Sequence, residues 1–129
     1  MLSIGQITIL VEEYDVGIDF FVNRLGFDLV EDTAMGDEKR WVVVAPAGGQ
    51  STAVLLARAS DDTQRAHVGF QAGGRVGFFM HTDDFEADHS RLAANGVNFL
   101  EAPRHEPYGI VAVFEDCSGN HWDLIQLTG

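Results

Sequence analysis

Asp123 stands between Trp122 and Leu124 in the run "HWDLIQL". A carboxylate in a half-buried strand is a metal ligand, a pocket wall or a satisfied structural acid. Its neighbours decide which. Strand alternation puts His121, Asp123 and Ile125 on one face and Trp122, Leu124 and Gln126 on the other. In "QITILV" the same rule groups Gln6, Thr8 and Leu10 against Ile7, Ile9 and Val11. The Ile/Ile/Val face suits packing under helices, which turns Gln6 and Thr8 toward a cavity. Phe79 and His81 share a face of "GFFMH". Arg40 and Trp41 open "KRWVVVA", and alternation leaves open which of the two points inward. An Arg beside a Trp can hold a carboxylate or stack on a planar ligand. In "RHEPYG", Tyr108 occupies the matching place and can cap a pocket, while Glu106 and Glu115 read as solvated acids.

Other chemistries lack their residues. There is no G-x-S-x-G elbow, no G-x-x-x-x-G-K-[ST] loop and no G-x-G-x-x-G fingerprint. "PAGGQST" has glycines but no lysine and no following helix. The histidines at 67, 81, 89, 105 and 121 form no H-x-x-x-H pair on a helix, and His89 is expected to be exposed. The single cysteine, Cys117, can neither close an intrachain disulfide nor complete a thiolate zinc motif.

The elements that must position these residues are written twice. "QITILVEEYDVGIDFFVNRLGFDLVED" and "GFFMHTDDFEADHSRLAANGVNFLEAP" each read as strand, acidic helix start, amphipathic helix, glycine and strand. Ile18, Phe21, Val22 and Leu25 make one apolar stripe, ended by Gly26. Phe85, Leu92 and Ala93 make the second, ended by Gly96, with Asp83 and Asp84 favouring the helix start. Three strand-like runs follow each helix: "FDLVEDT", "KRWVVVA" and "TAVLLARA", then "VNFLEA", "YGIVAVFE" and "HWDLIQL". The turn "PAGGQ" corresponds to "CSGN". The expected architecture is α+β, with two β-α-β-β-β modules (1–58 and 76–129) and a linker or lid over 59–75. Each sheet has helices on one face only, so two curled mixed sheets are expected to enclose a cleft, a favoured ligand site.

The doubled pattern, "LGF" after the first helix and "FEDCSGNHWDLIQ" near the end together resemble the vicinal oxygen chelate superfamily. That group includes glyoxalase I, extradiol dioxygenases, fosfomycin-resistance enzymes and bleomycin-binding proteins. The resemblance spans essentially the whole chain. It specifies fold more than function, because this fold hosts several chemistries.

The resemblance implies metal-ligand positions on the first and last strand of each module. They fall on Gln6, on Gly77, on Asp123, where relatives usually carry Glu, and somewhere in "STAVLLA". Glycine offers no donor, and "STAVLLA" has no His, Asp, Glu or Cys. Gln6 and Asp123 alone fall short of the three or more donors a catalytic metal needs. His81 is a spare donor on the Phe79 face.

The expectation is therefore a small-molecule-binding protein of the bleomycin-resistance type without a tightly bound metal. It would take an aromatic or cationic ligand against Gln6, Thr8, Arg40, Trp41, Phe79, His81, Tyr108, His121 and Asp123. The alternative is a divalent-metal-dependent, glyoxalase-like lyase, isomerase or dioxygenase, or metal-free acid–base catalysis by Asp123 with a histidine. The resemblance also implies a homodimer.

The bulk numbers suit one compact domain over residues 1–129. In 129 residues, hydrophobic residues make up 46% and charged residues 22%, enough for a real core. The net charge of −12 disfavours nucleic acid and anionic membrane as partners and suits a cationic ligand. No apolar run approaches a membrane span. "MLSIGQITIL" lacks a basic segment and a cleavage site, so the expected location is the cytoplasm.

Overall fold

The computed structural model describes residues 1–48 and 51–129. The "PAGGQ" turn therefore lies partly outside the described residues. The chain forms two compact units, Met1–Val68 and Gly69–Gly129. Each carries one mixed sheet, as an α+β protein with two strand-rich modules requires.

In the first unit the sheet runs β1 (Gln6–Val11), β4 (Ala53–Arg58), β3 (Arg40–Ala45), β2 (Asp28–Ala34) in spatial order. β1 pairs parallel with β4, and the other pairs are antiparallel. Cross-strand partners point to the same face. Ile9, Leu56 and Val42 therefore form one buried row, and Ile7, Val54 and Val44 the next. Ile7 is the exception on this face. It was expected under the helix but is 39% exposed, because it lies near the strand start, beyond the helix's cover.

The covering helix begins as α1 (Tyr14–Ile18) and continues with π geometry over Asp19–Arg24. The wider turn brings Leu25 N–H to the Phe20 carbonyl at 2.9 Å. It also changes which residues face the sheet. Tyr14, Phe20, Phe21 and Leu25 are buried, while Ile18 and Val22 are only half-buried. Of the expected stripe Phe21 and Leu25 are buried, and Tyr14 and Phe20 take the inward places of Ile18 and Val22. Gly26, at φ +83°, ends the helix as anticipated, with Phe27 N–H reaching back to the Phe21 carbonyl. Gly17 lets the helix sit close: a Cβ there would lie 2.9 Å from Leu56 Cδ1.

Residues 59–75, expected as a linker, are partly helical. α2 (Asp62–His67) is capped by the Asp61 carboxylate, which accepts from Gln64 N–H at 2.7 Å.

The second unit has strand order β5 (Val76–His81), β9 (His121–Leu127), β8 (Gly109–Glu115), β6 (Asn98–Phe99), and β7 (Arg104–Glu106) also pairs with β8. β6 and β7 are the one strand "VNFLEA…RHE", interrupted around Pro103. Proline has no N–H to donate to a ladder. In the gap the Glu101 side chain accepts from Val113 N–H at 3.1 Å, replacing a backbone carbonyl.

α3 (Phe85–Ala94) covers this sheet, with Asp84 as N-cap. Its inward stripe is Phe85, His89 and Leu92, with Phe85 and Leu92 buried, rather than Phe85, Leu92 and Ala93. Ala93 is exposed. His89, expected to be exposed, is half-buried between Phe85 (ring centroids 5.4 Å apart) and Phe99 (4.1 Å). The rings continue through Phe114 and Trp122 to Phe78, forming an aromatic core.

The turn between β8 and β9 is built on Asp116, which is 4% exposed. Its carboxylate accepts from Ser118 N–H, Asn120 N–H, Asn120 Nδ2 and Trp122 Nε1, at 2.9–3.1 Å. Among the described residues no helix is long and apolar enough to cross a membrane.

Candidate functional site

The face of the second sheet that α3 does not cover carries Asp123. Asp123 is the register partner of Phe79 on β5 and of Val113 on β8. His121 pairs with Val76 and Glu115, and Ile125 with His81 and Val111, so all of these share one face. The register shift between Val76 and Phe78 makes Gly77 the extra residue of a bulge. That bulge brings Phe79 level with Asp123. Phe79 is 60% exposed, His81 is exposed, and His121 and Asp123 are half-buried.

Asp123 Oδ1 is buried and has no hydrogen-bond partner among the described residues. Burial pushes its carboxyl above the ordinary value. Arg104 pulls the other way, and Glu101 adds to the rise. An orphaned, desolvated carboxyl oxygen costs stability unless something supplies a donor.

Glu101 and Arg104 were not anticipated as site residues. Arg104 Nε lies 3.0 Å from both Glu101 carboxylate oxygens, and Nη1 lies 3.2 Å from Glu106. These acids and a hydrogen bond with Tyr108 raise the guanidinium pKa further. Glu106, read from sequence as solvated, is thus half-buried and paired. The signal was present: Arg104 and Glu106 alternate on one face of a strand. Tyr108 itself is 47% exposed, in the turn joining β7 to β8.

The first unit settles the Arg40–Trp41 question. Thr8, Leu55 and Val43 are register partners, so Trp41, two residues before Val43, lies on the face of Thr8 and Gln6. Arg40 lies on the helix side. Its guanidinium donates to Asp32 through two nitrogens (3.1 and 2.7 Å) and to Asp15 at 2.9 Å, and it sits 5.2 Å from the Tyr14 ring centre. The bidentate bond from Arg40 holds the Asp32 carboxyl below its usual range. Arg40, expected as a ligand contact, commits three of its five N–H donors to Asp32 and Asp15. Gln6 and Thr8 are exposed, and Trp41 is half-buried.

A sequence profile of the glyoxalase/bleomycin resistance protein/dioxygenase superfamily matches residues 3–124. The chain belongs to this superfamily. It is 52% identical, over 97% of its length and 93% of the other chain, to an uncharacterized protein of Shewanella frigidimarina (strain NCIMB 400). Among solved structures it resembles UcmS2 at 29% identity and TM-score 0.85, covering 97% of this chain and 98% of that one. It also resembles TnmS3, an antibiotic binding protein from Streptomyces sp. CB03234, at 31% identity and TM-score 0.78, covering 99% and 98%.

Some members of this superfamily use a divalent metal, and the residues here do not fit one. Among the described residues no group of three or more His, Cys, Asp or Glu side chains is placed to hold a metal ion. β4 supplies only Ala, Val, Leu and Arg, and Gly77 supplies no side chain. A lone carboxylate facing an apolar ring and an Arg–Glu pair is a poor metal donor set.

Proposed function

We propose that the protein binds a small molecule, as bleomycin-resistance-type members of its superfamily do, without a tightly bound metal. The observation that carries this is the orphaned Asp123 Oδ1 beside the exposed Phe79 ring. An aromatic ligand bearing an amine or hydroxyl would satisfy both, its ring covering Phe79 and its donor meeting Asp123. His121 and His81 on the same face are proposed as further contacts. Gln6, Thr8 and Trp41 form an open face on the first unit, where contacts are proposed as well. The likeness to TnmS3, an antibiotic binding protein, supports an antibiotic-like ligand.

A raised carboxyl can also act as an acid–base group, and Asp123 has that feature. A thermal-shift screen of aromatic amines and antibiotics separates the readings. Binding predicts a ligand that raises Tm and is recovered unchanged, with the shift lost in Phe79→Ala. Turnover of the ligand would favour catalysis, and a screen without a single stabilising compound would sink the binding reading.

We also infer a homodimer working in the cytoplasm. β2 is exposed along its length, and Leu29 and Val30 on it are 44% and 60% exposed, unusual for a strand meant to face water. Sedimentation of the wild type against Val30→Asp tests the assembly: a monomeric wild type would refute it.

A further inference from the structure

The chain has eight Lys and Arg residues, and four of them, Lys39, Arg40, Arg58 and Arg65, line one cleft of the first unit. Its volume is about 580 Å³, within the range of small-molecule sites. Trp41 and Leu55 provide an apolar wall, and Gln64 of α2 lies on the polar side. In a protein of net charge −12 the bulk field repels anions. Gathering half the cations in one concavity therefore needs a local reason.

Ion pairs account for Arg40, held by Asp32 and Asp15, but not for the other three. Arg58 meets Glu13 at 3.3 Å and Arg65 meets Asp62 at 2.6 Å, with all four side chains more than a third exposed. Such pairs are weak, and none of the acids that pair with Arg40, Arg58 or Arg65 lines the cleft. Lys39 has no ion pair among the described residues. The two acids that do line the cleft, Asp37 and Glu38, are exposed residues of the turn before β3.

We propose that this cleft binds a planar aromatic anion, with its ring on Trp41 and its carboxylate or sulfonate held by Lys39 and Arg65. Trp41 supplies the stacking surface and the cations supply charge-assisted hydrogen bonds. The site draws only on first-unit residues and does not depend on the role given to Asp123.

Titration with 1-naphthoate, followed by calorimetry and tryptophan fluorescence, tests it. The amine 1-naphthylmethylamine serves as a control with the same ring and the opposite charge. Trp122 is 4% exposed, so quenching reports on Trp41. In Asp123→Asn, which disables the amine site proposed above, the expected result is saturable quenching by naphthoate and none by the amine. The double substitution Lys39→Gln/Arg65→Gln should weaken naphthoate at least about tenfold, as loss of charge-assisted bonds predicts. Asp123→Asn should leave naphthoate affinity unchanged. The proposal is overturned if naphthoate does not bind, if the amine quenches Trp41 equally in Asp123→Asn, where the amine site proposed above is disabled, or if the double variant keeps full affinity.

Discussion

Phe79 and Asp123 are direct register partners across the parallel β5–β9 pair, an exposed ring beside a carboxyl with one buried, unpartnered oxygen. Nothing in the local folding of either strand requires this pairing of a wasted acceptor with an uncovered aromatic.

Asp123 has a folded pKa above its ordinary value of 3.8. Below 3.8 the acid is protonated in both folded and unfolded chains and adds no pH dependence. As pH rises from 3.8 to the raised folded value, the unfolded chain loses its proton first, so stability falls. Above that window the loss is complete. Asp123→Asn removes it: urea unfolding should show the variant equal to or more stable than wild type at pH 7, with the difference shrinking toward pH 4. A variant clearly less stable at pH 7 would show that the carboxylate has a structural partner.

Arg40 and Asp32 predict the opposite pH behaviour. Asp32 has a lowered folded pKa, so its contribution is present above its unfolded value of 3.8 and disappears as pH falls through the folded value. The pair is partly solvated, so Arg40→Ala should cost about 1 kcal/mol at pH 7 by denaturation. The cost should diminish in acid. Arg40→Lys should recover only part of it, since an ammonium cannot make the two-nitrogen contact.

Asp116 should be far more sensitive. Replacing it by Ala removes the acceptor for four donors around a buried turn, including Trp122 Nε1. The expected loss is about 2–4 kcal/mol, read from urea midpoints followed by Trp122 fluorescence. A loss under about 1 kcal/mol would mean that water reaches the turn and replaces the carboxylate.

Metal addition should do little. Nickel, zinc, manganese or iron(II) added to untagged protein is expected to leave Tm within about 1 °C, because the donor set falls short of three. Stoichiometric metal by mass spectrometry, or a shift of several degrees abolished by Asp123→Asn, would revive the metal-dependent enzyme.

The sequence by itself determined the doubled module, the two helix-terminating glycines and the grouping of Asp123 with His121. Those are local properties: a stripe of one period, a residue able to take positive φ, a side chain that alternates with its neighbours. The turn acid Asp84 was legible for the same reason, being a cap beside its own helix. Tertiary structure alone decided the rest. The burial of Phe20 beside Phe21 came with a π turn, which a 3.6-residue pattern does not encode. Strand alternation was silent on Arg40 and Trp41 because it states which residues share a face, not which face meets a helix. Asp32 and Asp15, eight and twenty-five residues away in sequence, decided that. His89 became core because Phe99 folds back over it. Arg104 acquired a part in the site only when β7 paired with β8 and brought it, with Glu101, within electrostatic range of Asp123.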